Sequence, residues 1–155
     1  MALSALLGLL LLVQAPGAAL EQFFVGTTEG AGTVHVIMSG RHAVGDRSRG
    51  RLDRGGALIL DQVVEEEGRP ARRRTWRLAR SGANGVTGTI SDARGAVTGE
   101  VRGNVLRLRY RMAEGPHVEQ TITLAPNGRT AANRMTFRRF GLRVATVETV
   151  IRKVE

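Results

Sequence analysis

Asp92 is the residue best placed to do chemistry. It ends the segment "GVTGTISD" in phase with Val86, Gly88 and Ile90, so it closes a row pointing one way along an extended chain. On an inward row its carboxylate needs a partner, because an unpaired buried charge is costly. Arg80 shares parity with Trp76 and Leu78 on the preceding segment and is the candidate. The competing role is local: an aspartate just before Arg94 and Gly95 can start a turn by bonding its own backbone.

Other chemistry-bearing patterns are weaker. His35, His42 and His117 lie far apart and match no metal spacing. With no cysteine, a zinc site would need histidine and carboxylates from distant strands, so no metal and no cofactor is expected. No GxSxG element surrounds Ser39, Ser48, Ser81 or Ser91. Glycines at 88, 95, 99 and 103 precede no helix, whereas a phosphate cradle needs a helix N-terminus. "GRPARRRTWRL" sets Arg69, Arg72, Arg73, Arg74 and Arg77 around Trp76, a pattern seen in single-strand nucleic-acid platforms. One Trp and one Tyr make a poor stacking surface, and the preceding "EEEG" repels phosphate. A solvated hairpin with Glu65, Glu66 and Glu67 facing the arginines explains the run, and no nucleic-acid partner is expected.

The elements that must position these residues follow a period of two. In "GNVLRLRYRM" Leu106, Leu108, Tyr110 and Met112 face one side, and Arg107, Arg109 and Arg111 the other. Burying a leucine is worth about 1.5–3 kcal/mol, so the apolar row points inward and the arginines face water. A buried Tyr110 hydroxyl must then find a partner. Further strands are expected at Thr33–Ser39 (Val34, Val36 and Met38 on one face), Ala57–Val64, Arg73–Arg80, Gly85–Asp92 and Ala96–Arg102. His117–Leu124, Thr130–Arg139 and Leu142–Val154 follow. One short helix is expected at Leu20–Phe24. Short linkers such as "RSGANG" and "APNGRT" carry turn residues. Nine or ten strands joined as hairpins predict an all-β fold: a single, mostly antiparallel, lipocalin-like barrel of about 8–10 strands. Gly88 and Gly99 on inward positions suit tight curvature.

The chain has 155 residues and a net charge of +9, with 22 arginines and the single lysine Lys153. Arginine bias of this extent reads as codon pressure, so a basic outer face carries little information by itself. Residues 1–19 are uncharged, with an apolar run from Leu3 to Val13 and small residues at Gly17, Ala18 and Ala19. That is the pattern of an export signal, followed by one barrel domain over 20–155. The expected location is periplasmic or secreted. No cysteine is present to accept a lipid anchor.

The segments "LEQFFVG", "LILDQVVEEEGRPARRRTWRL", "GTISDARGAVTGEVRGNVLRLRYRM" and "NRMTFRRFGLRVATVETVIRK" together resemble a proteobacterial envelope family, domain of unknown function 3833. The likeness runs from about Leu20 to Lys153. The family's Asp-x-x-Gly and Gly-Asn elements fall on Asp92, Gly95, Gly103 and Asn104, before the Tyr110 strand. Its Arg-x-Trp element falls on Arg74 and Trp76, and its Asn-Arg element on Asn133 and Arg134. The resemblance implies a lipocalin-like barrel without an established activity. Many members look like outer-membrane lipoproteins, a pattern from which this chain departs.

These observations favour a binding protein that holds a small apolar or lipid-like ligand. Trp76, Leu78, Ile90, Leu106, Leu108 and Tyr110 would line the cavity. Asp92, Asn104, Asn133 and Arg134 would be polar groups at its mouth or structural ties. One alternative is an interaction module with a filled core, whose basic surface binds anionic lipid or envelope polymer. Another is a lipid-modifying enzyme, for which only Asp92 or a histidine offers a titrating group; no catalytic residue is assigned.

Overall fold

Hairpin follows hairpin until the last strand meets the first. The computed structural model describes residues 18–154. Helix α1 (Ala18–Phe24) precedes ten strands: β1 (Gly26–Val36), β2 (Gly40–Leu52), β3 (Leu58–Glu66), β4 (Arg72–Ser81) and β5 (Gly85–Ile90), then β6 (Ala93–Arg102), β7 (Val105–Met112), β8 (His117–Leu124), β9 (Thr130–Arg139) and β10 (Leu142–Lys153). Each strand pairs antiparallel with its neighbours in sequence, and β1 pairs with β10 to close the barrel. The expected signal segment lies outside the described residues, except that Ala18 and Ala19 open α1.

The barrel has two unlike ends. α1 plugs one, burying Leu20, Phe23 and Phe24 against Leu58, Leu60, Val101 and Leu106. Each such side chain contributes about 1.5–3 kcal/mol. Arg80 Nε bonds Glu21 at 2.5 Å, and the Lys153 ammonium donates to the carbonyls of Gln22, Phe23 and Val25. The far end, formed by the β1–β2, β3–β4, β5–β6, β7–β8 and β9–β10 turns, has no such plug among the described residues. There the inward side chains of Val44, Val64, Met112, Phe137 and Val147 stay half-exposed.

Curvature depends on glycine where backbones touch. A Cβ on Gly88 would lie 1.8 Å from the Arg77 carbonyl oxygen, and one on Gly99 2.0 Å from that of Arg107.

Three strand expectations are corrected. β1 begins at Gly26 rather than Thr33 and ends at Val36. Met38 therefore does not share an inward face with Val34 and Val36; it sits in the turn, fully exposed. The sequence reading assigned nothing to Gly40–Leu52, yet this is β2, hydrogen-bonded on both sides. Its inward row is His42, Val44, Asp46, Ser48 and Gly50, which is too polar to show apolar alternation.

Candidate functional site

Strand register brings the interior polar groups together. The β4–β5 hairpin sets Arg80 opposite Val86 and Trp76 opposite Ile90. The next inward step carries Arg74 to Asp92, and Arg74 Nη2 meets Asp92 Oδ2 at 2.7 Å. The Arg74 side chain is 6% exposed and that of Asp92 32%. Arg74 thus replaces Arg80 as the partner; Arg80 turns to α1 instead. The hairpin closes between Ser81 and Gly85, and that register decides between the two arginines. Parity alone did not distinguish the two arginines.

A belt of polar side chains crosses the barrel at this level. On one flank Trp76 Nε1 donates to Gln62 Oε1 at 3.0 Å, and Gln62 Nε2 donates to Asp46 Oδ2 at 2.9 Å. The Ser48 hydroxyl donates to the same carboxylate oxygen at 3.3 Å. On the other flank the Tyr110 hydroxyl donates to Gln120 Oε1 at 3.0 Å and Gln120 Nε2 to Asn133 Oδ1 at 2.8 Å. Asn133 Nδ2 donates to the Thr149 hydroxyl at 3.1 Å. Trp76 and Tyr110 meet edge to face, with ring centroids 5.5 Å apart.

Burial dominates the electrostatics. It raises the Asp46 carboxyl above its ordinary value, against the opposing hydrogen bonds from Gln62 and Ser48 and the charge of Arg74. It also pushes the Tyr110 hydroxyl well above the usual phenol value, with the Arg74 charge acting the other way. Within the Arg74–Asp92 pair, two buried atoms, Arg74 Nε and Asp92 Oδ1, have no hydrogen-bond partner.

The expected site residues divide by position. Trp76, Ile90, Leu106, Leu108 and Tyr110 are buried inside the barrel, with Leu78 packed against them. Asp92 and Asn133 join the polar belt. Asn104 lies in the β6–β7 turn at the plugged end, where its Nδ2 holds the Leu124 carbonyl at 2.9 Å; it is a tie and not part of a mouth. Arg134 faces outward and lies 3.6 Å from Glu148, so it does not line the interior. Of the three glutamates expected to face the arginines, Glu66 meets Arg69 and Arg72, both at 3.6 Å. It also bonds His42 at 2.6 Å. Sequence reasoning missed Asp46, Ser48, Gln62 and Gln120. A polar residue on an inward parity position was the available signal for Gln62 and Gln120.

The plugged half is packed. Beneath α1 a cavity of about 30 Å³ lies between Leu20, Phe24, Leu78, Val86 and Leu106, room for little more than a water. A larger concavity of about 780 Å³ lies along β1–β4 and is lined from both faces of the sheet, the inward residues Asp46, Ser48, Gln62 and Arg74 included. Its lining also runs through the outward residues Glu29, Arg47, Arg49, Asp61, Val63 and Arg73. Charges of both signs meet there, and Arg47 pairs with Glu29.

Ten closed antiparallel strands with one plugged end and a polar belt inside define a lipocalin-like barrel. More narrowly, the chain belongs to the DUF3833 family, described as proteins of unknown function, whose pattern matches residues 12–153. No curated protein matches the chain. Among solved structures, the S-type phycobiliprotein lyase CPES from Guillardia theta is similar with a TM-score of 0.72 at 9% identity, over 92% of this chain and 94% of that one. The protein Rv2717c of M. tuberculosis gives 0.67 at 14% identity, over 89% and 98% of the two chains. A protein of unknown function from the DUF3598 family of Nostoc punctiforme gives 0.64 at 11% identity, over 86% and 49%. At these identities the likeness is one of fold.

Proposed function

We propose that the protein binds one small neutral amphiphile in the open half of its barrel. The observation that carries this reading is the pair of unpartnered buried atoms, Arg74 Nε and Asp92 Oδ1. Leaving a buried polar group unpaired costs about 1–3 kcal/mol. Arg74 Nε can only donate and the Asp92 carboxylate can only accept. A hydroxyl or amide head satisfies both, whereas an anionic head would meet the Asp92 charge. The apolar part would lie against Val44, Met112, Phe137 and Val147, which remain half-exposed on the inward face. Pockets of this kind are mostly apolar with a few placed polar groups. A phycobiliprotein lyase has a barrel of the same fold, which is compatible with small-ligand binding here. The reading includes export to the envelope or beyond, supported by the apolar, uncharged residues 1–19. Cell fractionation with and without that segment checks it.

Trp76 is the only tryptophan and bonds into the polar belt, so its emission reports on the site. Titration with monolauroylglycerol should shift that emission, and native mass spectrometry should show one bound molecule. Laurate at pH 8 should bind on the order of tenfold more weakly, the effect of one lost hydrogen bond to a charged group. The Arg74→Met/Asp92→Leu double variant should stay folded and lose the preference. Unchanged Trp76 emission together with bare protein at saturating monolauroylglycerol overturns the proposal.

A further inference from the structure

At the open end, the β1–β2 and β9–β10 turns stand side by side. β1 and β10 are paired up to Val36 and Ala145, and the Ile37 N–H donates to the Val144 carbonyl at 3.0 Å. Four large apolar side chains project from these two turns. Met38 and Phe140 are fully exposed, Leu142 is 71% exposed and Ile37 40%.

Met38 and Phe140 also carry the only positive φ angles of non-glycine residues among the described residues, 69° and 51°. The left-handed region disfavours bulky side chains by roughly 1–2 kcal/mol each. Glycine or asparagine would fit these turns better and would not expose apolar surface to water. Strained residues of this kind gather at functional positions.

Within the two hairpins themselves the charge has one sign, while Glu66 and Glu67 of the neighbouring β3–β4 hairpin bond His42 and the Ala43 N–H at the side of the β1–β2 hairpin. Arg41, Arg138, Arg139 and Arg143 flank the four apolar residues, and neither hairpin has an Asp or Glu from Thr33 to Gly45 or from Met135 to Val147. Arg138 and Arg143 are cross-strand partners, an arrangement that is unfavourable for like charges. An anion between them relieves the repulsion. Glu119 approaches Arg138 only to 3.8 Å.

We infer that these two tips dock the open end of the barrel on an anionic phospholipid surface. Met38, Phe140 and Leu142 enter the interface between headgroups and acyl chains, and the arginines bind the phosphates. Exposed apolar side chains ringed by arginine fit such a surface, because burial and electrostatic attraction act together there. The inference stands on the tips alone and does not depend on the ligand proposal.

The test compares the full-length chain with Met38→Asn/Phe140→Asn in the same chain, so that residues 1–17 contribute equally to both. Asparagine tolerates the left-handed region, so the variant should unfold at the same urea concentration or higher. Co-sedimentation uses vesicles of neutral phosphatidylcholine, alone or with one part in three of phosphatidylglycerol. The parent should favour the anionic vesicles, and salt should weaken that preference. The double asparagine variant should lose on the order of tenfold in partitioning to them. Arg138→Gln/Arg143→Gln should remove most of the preference for anionic over neutral vesicles while leaving the urea unfolding midpoint unchanged. Equal partitioning of parent and asparagine variant overturns the inference, as does equal binding of the parent to both vesicle types. So does a finding that the asparagine pair abolishes self-association instead, which would make the tips a contact between copies of the chain.

Discussion

Arg74 and Asp92 face each other across the β4–β5 hairpin, Nη2 to Oδ2 at 2.7 Å, one inward step from the Trp76–Ile90 pair. The pair is asymmetric: the arginine is almost fully enclosed, and the carboxylate retains some access to solvent. The packed apolar half of the barrel ends at this level, and the half-exposed interior begins.

The asymmetry makes the two deletions unequal. Asp92→Ala leaves an enclosed guanidinium without its nearest counter-charge and should cost about 3–5 kcal/mol in urea unfolding. Arg74→Met leaves a carboxylate that can reach water and should cost less. Combining Arg74→Met with Asp92→Leu should recover much of the loss. Equal costs for the two single variants would contradict this account.

Asp46 links stability to pH. Burial raises its carboxyl above the ordinary 3.8, so the folded chain holds that proton more tightly than the unfolded chain. Its stabilising contribution is complete below 3.8 and fades as pH climbs through the raised value. Asp46→Asn keeps acceptors for Gln62 and Ser48 and stays neutral at every pH. It should be more stable than the parent at pH 7, with the gap closing toward pH 3. A gap independent of pH would show that ionisation of Asp46 is not its source.

Tyr110 is the only tyrosine, so its ionisation can be followed by absorbance in the intact protein. Its hydroxyl is pushed above the ordinary 10.0 by burial. The folded chain therefore retains a proton that the unfolded chain releases, and stability falls as pH rises past 10.0. Tyrosinate absorbance should appear together with loss of the far-ultraviolet β signal, not before it. Tyr110→Phe removes the donor to Gln120 Oε1 and should cost about 1–3 kcal/mol.

Lys153 interrupts an otherwise all-arginine set of cations, and its geometry gives a reason. One ammonium donates to three carbonyls at the end of α1, at 2.9, 3.1 and 2.5 Å. A planar guanidinium does not converge on three acceptors from a single nitrogen. Lys153→Met should cost about 1.5–3 kcal/mol and speed amide exchange in α1 while the strands keep their protection. Lys153→Arg should restore only part of that protection.

The sequence by itself determined the class of fold and the direction of most side chains. Alternation assigned the inward rows Leu106–Leu108–Tyr110 and Trp76–Leu78, because burial of one face repeats every second residue. It also marked the inward glycines, Gly88 and Gly99. Tertiary structure decided which rows meet. Asp92 stood on an inward row, but only the β4–β5 register chose Arg74 over Arg80. β2 lacks an apolar face because Asp46 and Ser48 point inward, and hydrogen bonding from β1 and β3 holds it in place. One half of the polar belt was hidden by the very residues that form it. The apolar tips at Met38 and Phe140 likewise emerged only when closure of the barrel set β1 beside β10. Periodicity is a local property of the chain, whereas register and closure bring together residues more than a hundred positions apart, which no local pattern encodes.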